Sequence, residues 1–318
     1  MSEEAIIINQ HYAYFPLFPV RLPYLTFNSS EEFTLKSSAN NKQWNGTLYY
    51  STDAENWTEW NGTIINSSSG NIYLRGKNNT YLTGGNGSSY FQLTPSGSKT
   101  INCSGNIENL LDWEEVYGGN HPTMANSCFN NLFYNCSYLG AAPDLPALTL
   151  TKGCYKYMFA GCSRLTAAPA LPATNLAEEC YLGMFFSCSA LVTAPALTAL
   201  TLTKDCYQAM FISCSALVTA PALPATTLAE GCYSQMFANC ASLSVLPKLS
   251  TTLNIENCAS NMFFMCSSVM VSETQTGNYQ TSLCSTTQKQ SSMFSYTGGT
   301  YTGNANAGST YYTSNQVV

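Results

Sequence analysis

The side chains able to do chemistry in this chain of 318 residues are few: fourteen cysteines, two histidines (His11 and His121) and a close set of acids, Asp53, Glu55 and Glu59. Nucleophilic or acid–base catalysis needs such groups to converge. The two histidines lie in different segments with no motif around either, so a Ser-His-Asp or Cys-His site is not expected. The three acids fall in a Trp-rich stretch where a glycosidase-like carboxylate pair is conceivable, although short acidic loops are usually solvated. No glycine-rich phosphate loop occurs at a strand-to-helix junction; Gly84-Gly85 and Gly118-Gly119 read as turns. The expectation is a chain with no catalytic residues, no cofactor and no enzymatic activity.

The cysteines form two columns. Cys128, Cys154, Cys180, Cys206, Cys232, Cys258 and Cys284 advance by 26 residues at each step, and Cys136, Cys162, Cys188, Cys214, Cys240 and Cys266 follow at the same period. Zinc sites gather thiolates and imidazoles in tight clusters such as C-x-x-C, so no metal is expected from this spacing. Disulfides are geometrically open, because stacked strands about 4.8 Å apart fall within the usual Cα range of about 4.4–6.8 Å for a bridge.

The elements that must position these residues share the period. Met158, Met184, Met210, Met236 and Met262 each precede a phenylalanine (Phe159, Phe185, Phe211, Phe237, Phe263), and Leu165, Leu191, Leu217 and Leu243 form another column. Pro143, Pro169, Pro195, Pro221 and Pro247 follow in line. The consensus is C-Y-x-x-M-F-x-x-C-S-x-L-x-x-A-P-x-L-P-A-x-x-L. A fixed period in the twenties marks units that cannot bury their apolar side alone and must stack on their neighbours. Within each unit the C-Y-x-x-M-F-x-x-C stretch carries apolar residues at offsets 0, 4, 5 and 8, which predicts a short helix or helical turn. The proline-containing stretch predicts a brief strand that ends near the proline.

Residues 128–270 resemble the leucine-rich repeats of BspA-like proteins, found on bacterial surface proteins and in some gut phage proteins, in which a phenylalanine precedes a cysteine by three residues and a leucine follows it by three. The resemblance implies a right-handed stacked solenoid with a role in adhesion or ligand recognition, and it leaves the ligand open. In related repeats the cysteine columns hold leucine or isoleucine. That favours Cys154, Cys162, Cys180, Cys188, Cys206, Cys214, Cys232 and Cys240 as a structural ladder of free, buried thiols, since reduced cysteine is among the most buried residue types.

The fold class expected is mixed α+β: an antiparallel, β-sandwich-like domain over 22–100, then a leucine-rich-repeat-like solenoid of short helices and short strands over 128–297. Alternating runs at Phe33–Leu35, Thr47–Tyr50, Asn71–Leu74 and Tyr90–Leu93, divided by Asn, Gly and Ser clusters, predict the β domain. Residues 101–127, with Leu110, Leu111 and Trp113, are expected to form an N-cap coil. After Cys284 the phase slips, with Met293-Phe294 late, and 298–318 reads as a C-terminal tail. The aromatic segment 1–21 is expected to dock on a virion scaffold or on the β domain.

Two surfaces are candidates for recognition. Tyr155, Tyr181, Tyr207 and Tyr233 form a column that is either an exposed aromatic stripe or a cover for the seam between coils. Trp44, Trp57 and Trp60 are either core or an aromatic platform for sugar rings. Only 9% of residues are charged and the net charge is −6, which disfavours nucleic acid and anionic membranes as partners. No run of about 18 apolar residues occurs, so no membrane insertion is expected. The expected function is non-enzymatic binding of a host-surface protein or glycan, carried as a fibre, decoration or receptor-binding subunit on a phage virion. The alternatives are a bacterial cell-surface adhesin and a purely structural spacer. No signal peptide is visible, and a homo-oligomer is open, a trimer if the protein is fibre-like.

Overall fold

A computed structural model describes residues 22–249 and 252–318. The proposed docking segment 1–21, and His11 within it, lies outside the described residues.

The N-terminal region follows the alternation of its sequence. The strands are β1 (Leu25–Asn28), β2 (Phe33–Ser37), β3 (Thr47–Ser51), β4 (Thr58–Trp60), β5 (Ile65–Asn66), β6 (Asn71–Lys77), β7 (Phe91–Pro95) and β8 (Ile101–Ser104), and β1, β2, β6, β7 and β8 bury every second residue. Helix α1 (Asn109–Tyr117) and strand β9 (Leu139–Ala141) come next. The strands build a six-stranded sheet, ordered β4-β3-β6-β1-β8-β9, and a three-stranded sheet, ordered β5-β2-β7. Phe27, Phe33, Leu35, Leu48, Ile72, Leu74 and Phe91 fill the core they share.

The repeat region corrects the expected fold class. The described residues are mostly sheet, turn and loop, with α1 as the one helix among them, so the chain is not a solenoid of short helices. The reason lies in the backbone of the C-Y-x-x-M-F-x-x-C stretch, where every fourth residue has positive φ: Gly153, Tyr157 and Gly161 in one segment, Glu179, Gly183 and Ser187 in the next, then Asp205, Ala209 and Ser213. A left-handed residue every fourth position breaks an α-helix before its first 13-atom ring can propagate. The backbone turns with a period of four residues instead, which aligns offsets 0, 4 and 8 as a helix nearly would.

Hydrogen bonding alternates accordingly. The amides of Lys156, Met158, Ala160 and Cys162 donate three residues back within their own segment. Those of Gly153, Tyr155, Tyr157, Phe159 and Gly161 donate to carbonyls of the next segment, at Glu178, Cys180, Leu182, Met184 and Phe186. The same register recurs from Glu179 to Lys204 and from Asp205 to Glu230. Isolated parallel bridges join the proline-containing stretches, Ala167 to Thr193, Thr193 to Thr219 and Thr219 to Val245. Successive 26-residue segments thus lie against one another, with Phe159, Phe185, Phe211 and Phe237 stacked face to face at 5.7–5.8 Å.

The cysteine ladder has a job in this arrangement. All fourteen thiols are free and buried. In the second column each thiol reaches a phenylalanine carbonyl of the preceding segment: Cys162 to Phe133 at 3.2 Å, Cys188 to Phe159 at 3.1 Å, Cys214 to Phe185 at 3.1 Å and Cys240 to Phe211 at 2.9 Å. A leucine would fill the space without donating; a disulfide would remove the donor. Burial pushes most of the ladder thiols upward, to about 12 for Cys154, Cys188 and Cys206, whereas the bond to Cys232 lowers Cys258. Thiolate, the reactive form, is therefore scarce at neutral pH. The folded protein is expected to react slowly with a thiol-specific reagent and to reveal all fourteen thiols in denaturant; rapid labelling of the native state would contradict the ladder.

Both ends are closed by strands. At the start, the amides of Leu82, Phe91 and Ile101 donate to Cys128, Leu132 and Tyr138, Phe91 and Phe133 meet at 6.1 Å, and Cys136 donates its thiol to the Phe91 carbonyl. The β domain occupies the place of a preceding repeat. Leu110 and Leu111 are buried, and Trp113 is half-buried. At the far end, β10 (Val245–Leu246), β11 (Met270–Ser272), β12 (Thr281–Ser285), β13 (Gly298–Gly299), β14 (Thr310–Thr313) and β15 (Gln316–Val317) fold the tail back. The order β12-β14-β11-β13 puts the tail inside a sheet, and β15 pairs with β10. Phe294, late in the sequence, still stacks on Phe263 at 6.2 Å.

Candidate functional site

The tyrosine column is not an exposed stripe. Tyr155, Tyr181, Tyr207 and Tyr233 are each no more than 2% exposed, with rings stacked at 5.7–6.3 Å. The four-residue turn places the position after the first cysteine beside the phenylalanine column, inside the stack. These residues cover the seam between segments and present no binding surface.

The three tryptophans separate. Trp44 and Trp60 are buried and stacked on each other at 5.0 Å, and Trp60 donates its indole N–H to the Thr63 carbonyl. Both are core. Trp57 precedes β4 and is half-buried.

On β6 the buried face carries Ile72, Leu74 and Gly76, so Tyr73, Arg75 and Lys77 point the other way. Across the ladder Arg75 pairs with Tyr49 of β3. Its guanidinium carbon lies 4.1 Å from the ring centre of Trp57 and 4.4 Å from that of Trp113. Tyr24 extends the cluster, 5.6 Å from Trp57 and 5.2 Å from Tyr73.

Trp113 reaches this face because α1 is kinked. Asp112 leaves the helical region at φ −152° and ψ 104°, and its carboxylate accepts the amides of Asn78, Glu114 and Glu115. Lys77 pairs with Glu114 at 2.6 Å, which fastens the same turn to β6. The Glu114 carboxylate raises the Lys77 pKa. The sequence marks Trp113 only as a cap residue; a Trp two residues after Leu111 and between two acids carries no signal for its partner 38 residues upstream.

Of the acids Asp53, Glu55 and Glu59, Asp53 has a structural role. The Asp53 carboxylate accepts from the Asn56 side chain, the amides of Glu55 and Asn56, and the Ser51 hydroxyl, and it is held well below the usual carboxylate range by these bonds, the Asn56 side chain first. It shapes the β3–β4 turn, where Ala54 has positive φ.

A second feature lies where α1 meets the first repeat segments. His121 Nδ1 is 2.8 Å from Glu108 Oε2, and the two residues line a cleft of about 260 Å³. Glu108 is 1% exposed while His121 is at the surface. The sequence placed them thirteen residues apart with nothing to mark the pair.

Comparison with protein-family models, with curated proteins and with solved structures finds no match to this chain.

Proposed function

We propose that this protein is a non-enzymatic binding protein that recognises a host-surface glycan through the outer face of its six-stranded sheet. The observation that carries the reading is Arg75 held between the rings of Trp57 and Trp113, with Tyr24 and Tyr73 alongside. A guanidinium over an indole contributes about 0.5–2 kcal/mol depending on desolvation. Sandwiched between two indoles, it holds broad amphipathic rings in place before any ligand arrives, which lowers the ordering cost of binding. Flat aromatic faces suit the apolar faces of sugar rings, and tyrosine and tryptophan give large contact area with few rotatable bonds.

The stack of turns supports this reading as a mount. Its segments repeat with one register of hydrogen bonds and closed ends, so it projects the sheet rigidly. Free, buried thiols fit a chain that folds in a reducing compartment and leaves it already assembled, as a phage virion subunit does. A bacterial surface adhesin is the alternative carrier.

The test is a glycan array probed with the full chain and with the double variant Trp57→Ala, Trp113→Ala. Binding to a defined glycan class is expected, with at least about a tenfold loss in the double variant, as for anchors worth more than 1.4 kcal/mol. Undiminished glycan binding by the double variant would move the site elsewhere. No glycan bound, with a host protein captured instead, would replace the ligand class.

A further inference from the structure

Four segments of the stack share an outward face with almost no charge on it. In 144–148, 170–174, 196–200 and 222–226 the second and fourth residues are buried, so the first, third and fifth point outward together. The fifth residues form the column Leu148, Thr174, Leu200 and Thr226, in which both leucines are 56% exposed and both threonines are exposed. The amides of Thr174 and Thr226 donate to the carbonyls of Leu148 and Leu200, which holds the column in register. Asp144 is the one charged residue in the four stretches. Val192 and Val218, both exposed, add apolar surface just before the third and fourth. Exposed apolar surface gathered in one region and depleted of charge is the composition of a contact surface.

Charge returns in one column beside this face. Four residues after each member of the Leu-Thr column come Lys152, Glu178, Lys204 and Glu230. Lys152 meets Glu178 and Lys204 meets Glu230, both at 3.0 Å, with all four side chains well exposed. Along the stack, one column therefore alternates large and small, and the other positive and negative.

An alternating series of four is complementary to its own reverse. A two-fold axis lying in the contact plane, along the chain direction of the stretches and midway between the second and third segments, sets each column against itself turned end for end. Leu148 then falls opposite Thr226 and Leu200 opposite Thr174, so every large side chain meets a small one, as interdigitating layers require. Lys152 falls opposite Glu230 and Lys204 opposite Glu178, so every charge meets its opposite. Asp144 falls opposite Ala222, with Lys248 one segment further along the same column. A two-fold axis parallel to the stack sets each column against a different one and makes neither match. From the Asp144 column to the Lys152 column, four segments cover about 600 Å² per copy, or about 1,200 Å² in all, the lower end for a specific interface.

We propose that this face binds a second copy of the chain, forming a two-fold dimer in which the two stacks run antiparallel. The contact lies in the repeat region and does not rest on glycan recognition by the β domain.

Sedimentation equilibrium of the full chain at concentrations up to about 300 µM is expected to show monomer and dimer in exchange, the behaviour of a small interface. Leu200→Lys, at an exposed position, is expected to keep the circular dichroism spectrum and melt of the wild type while weakening the dimer at least about tenfold, because the change occurs twice in each dimer. Lys204→Glu turns both contacts with Glu178 repulsive and is expected to weaken the dimer about fivefold. Adding Glu178→Lys restores opposite charges between copies but sets like charges side by side within each chain, at 152 and 178 and at 204 and 230. Recovery to within about twofold of the wild type in this double variant therefore reads the contact between copies. A chain that stays monomeric at the highest concentration, a trimer or larger assembly, dimerisation undiminished in Leu200→Lys, or a double variant that associates no more tightly than Lys204→Glu would each overturn the proposal.

Discussion

Replacing Phe185 by alanine is expected to destabilise the protein by about 3–5 kcal/mol, the range for removing a fully buried phenylalanine. Phe185 is completely buried between Phe159 at 5.8 Å and Phe211 at 5.7 Å, with ring planes within 7° of parallel. Its amide donates to Met210 and its carbonyl accepts the Cys214 thiol, so a cavity here disturbs the junctions on both sides. Urea unfolding checks this as a lower midpoint with an unchanged slope. A shift below about 1 kcal/mol would mean that the aromatic column does not carry the stack.

Removing residues 180–205 is expected to leave a folded protein, because that segment is one period of the register. Cys206 then follows Glu179, and Phe211 takes the place of Phe185 on Phe159. Gly153 keeps its bond to Glu178, and the amides of Tyr155, Tyr157, Phe159 and Gly161 find equivalent carbonyls at Cys206, Gln208, Met210 and Ile212 in place of Cys180, Leu182, Met184 and Phe186. Stability falls only by the contribution of one segment and its junction, as in quasi-one-dimensional arrays. Removing half that length shifts every column, setting polar positions against Phe159 and Met158, and is expected to abolish cooperative unfolding. Circular dichroism melts separate the two outcomes. A half-period deletion that melts like the wild type would show that the 26-residue register has no structural force.

The two largest effects follow from features of very different visibility. The period, the cysteine columns and the Met-Phe pairs are plain in the sequence, since each repeats at a fixed interval. So are the strands of the β domain, where Phe33–Leu35, Thr47–Tyr50 and Asn71–Leu74 fall within β2, β3 and β6. The conformation of the repeat was obscured because offsets of 0, 4 and 8 satisfy both an α-helix and a four-residue turn. A distinguishing signal was present in the residues between them. Gly153, Gly161, Gly183, Gly231, Asn239, Asn257 and Asn261 take left-handed φ, and glycine and asparagine adopt it at least cost. Glycine or asparagine at intervals of four or eight residues inside an apparent helix argues against the helix.

The candidate sites were less legible. Tyr155 and its equivalents sit beside cysteines in the sequence, and adjacency in a helix would have put them on another face; in a four-residue turn both positions point inward. Trp57, Arg75 and Trp113 meet only because β4, β6 and the kink at Asp112 are assembled around one sheet, and no local pattern encodes that meeting. The Glu108–His121 pair is similar: both residues lie in a non-repetitive connection, where periodicity says nothing about which side chains converge.

The structure nevertheless links the two halves of the chain mechanically. Strand β9 of the first repeat segment pairs in parallel with β8, so the six-stranded sheet that carries Arg75 is continuous with the stack, and Phe91 of the three-stranded sheet accepts a thiol from Cys136 and packs on Phe133. A ligand on the proposed face would pull on a body joined to the next segments by backbone hydrogen bonds and buried rings. Such a mount suits a protein that must hold a surface in place against load.

The central claim is that the half-buried rings around Arg75 do the recognising. Titration calorimetry of the glycan identified on the array, against the wild type and Trp57→Ala, tests it most directly. A single binding event is expected, with a Kd that rises at least about tenfold in the variant, equivalent to about 1.4 kcal/mol, and with thermal stability little changed because Trp57 lies outside the core. An unchanged Kd with Trp57 removed would contradict it.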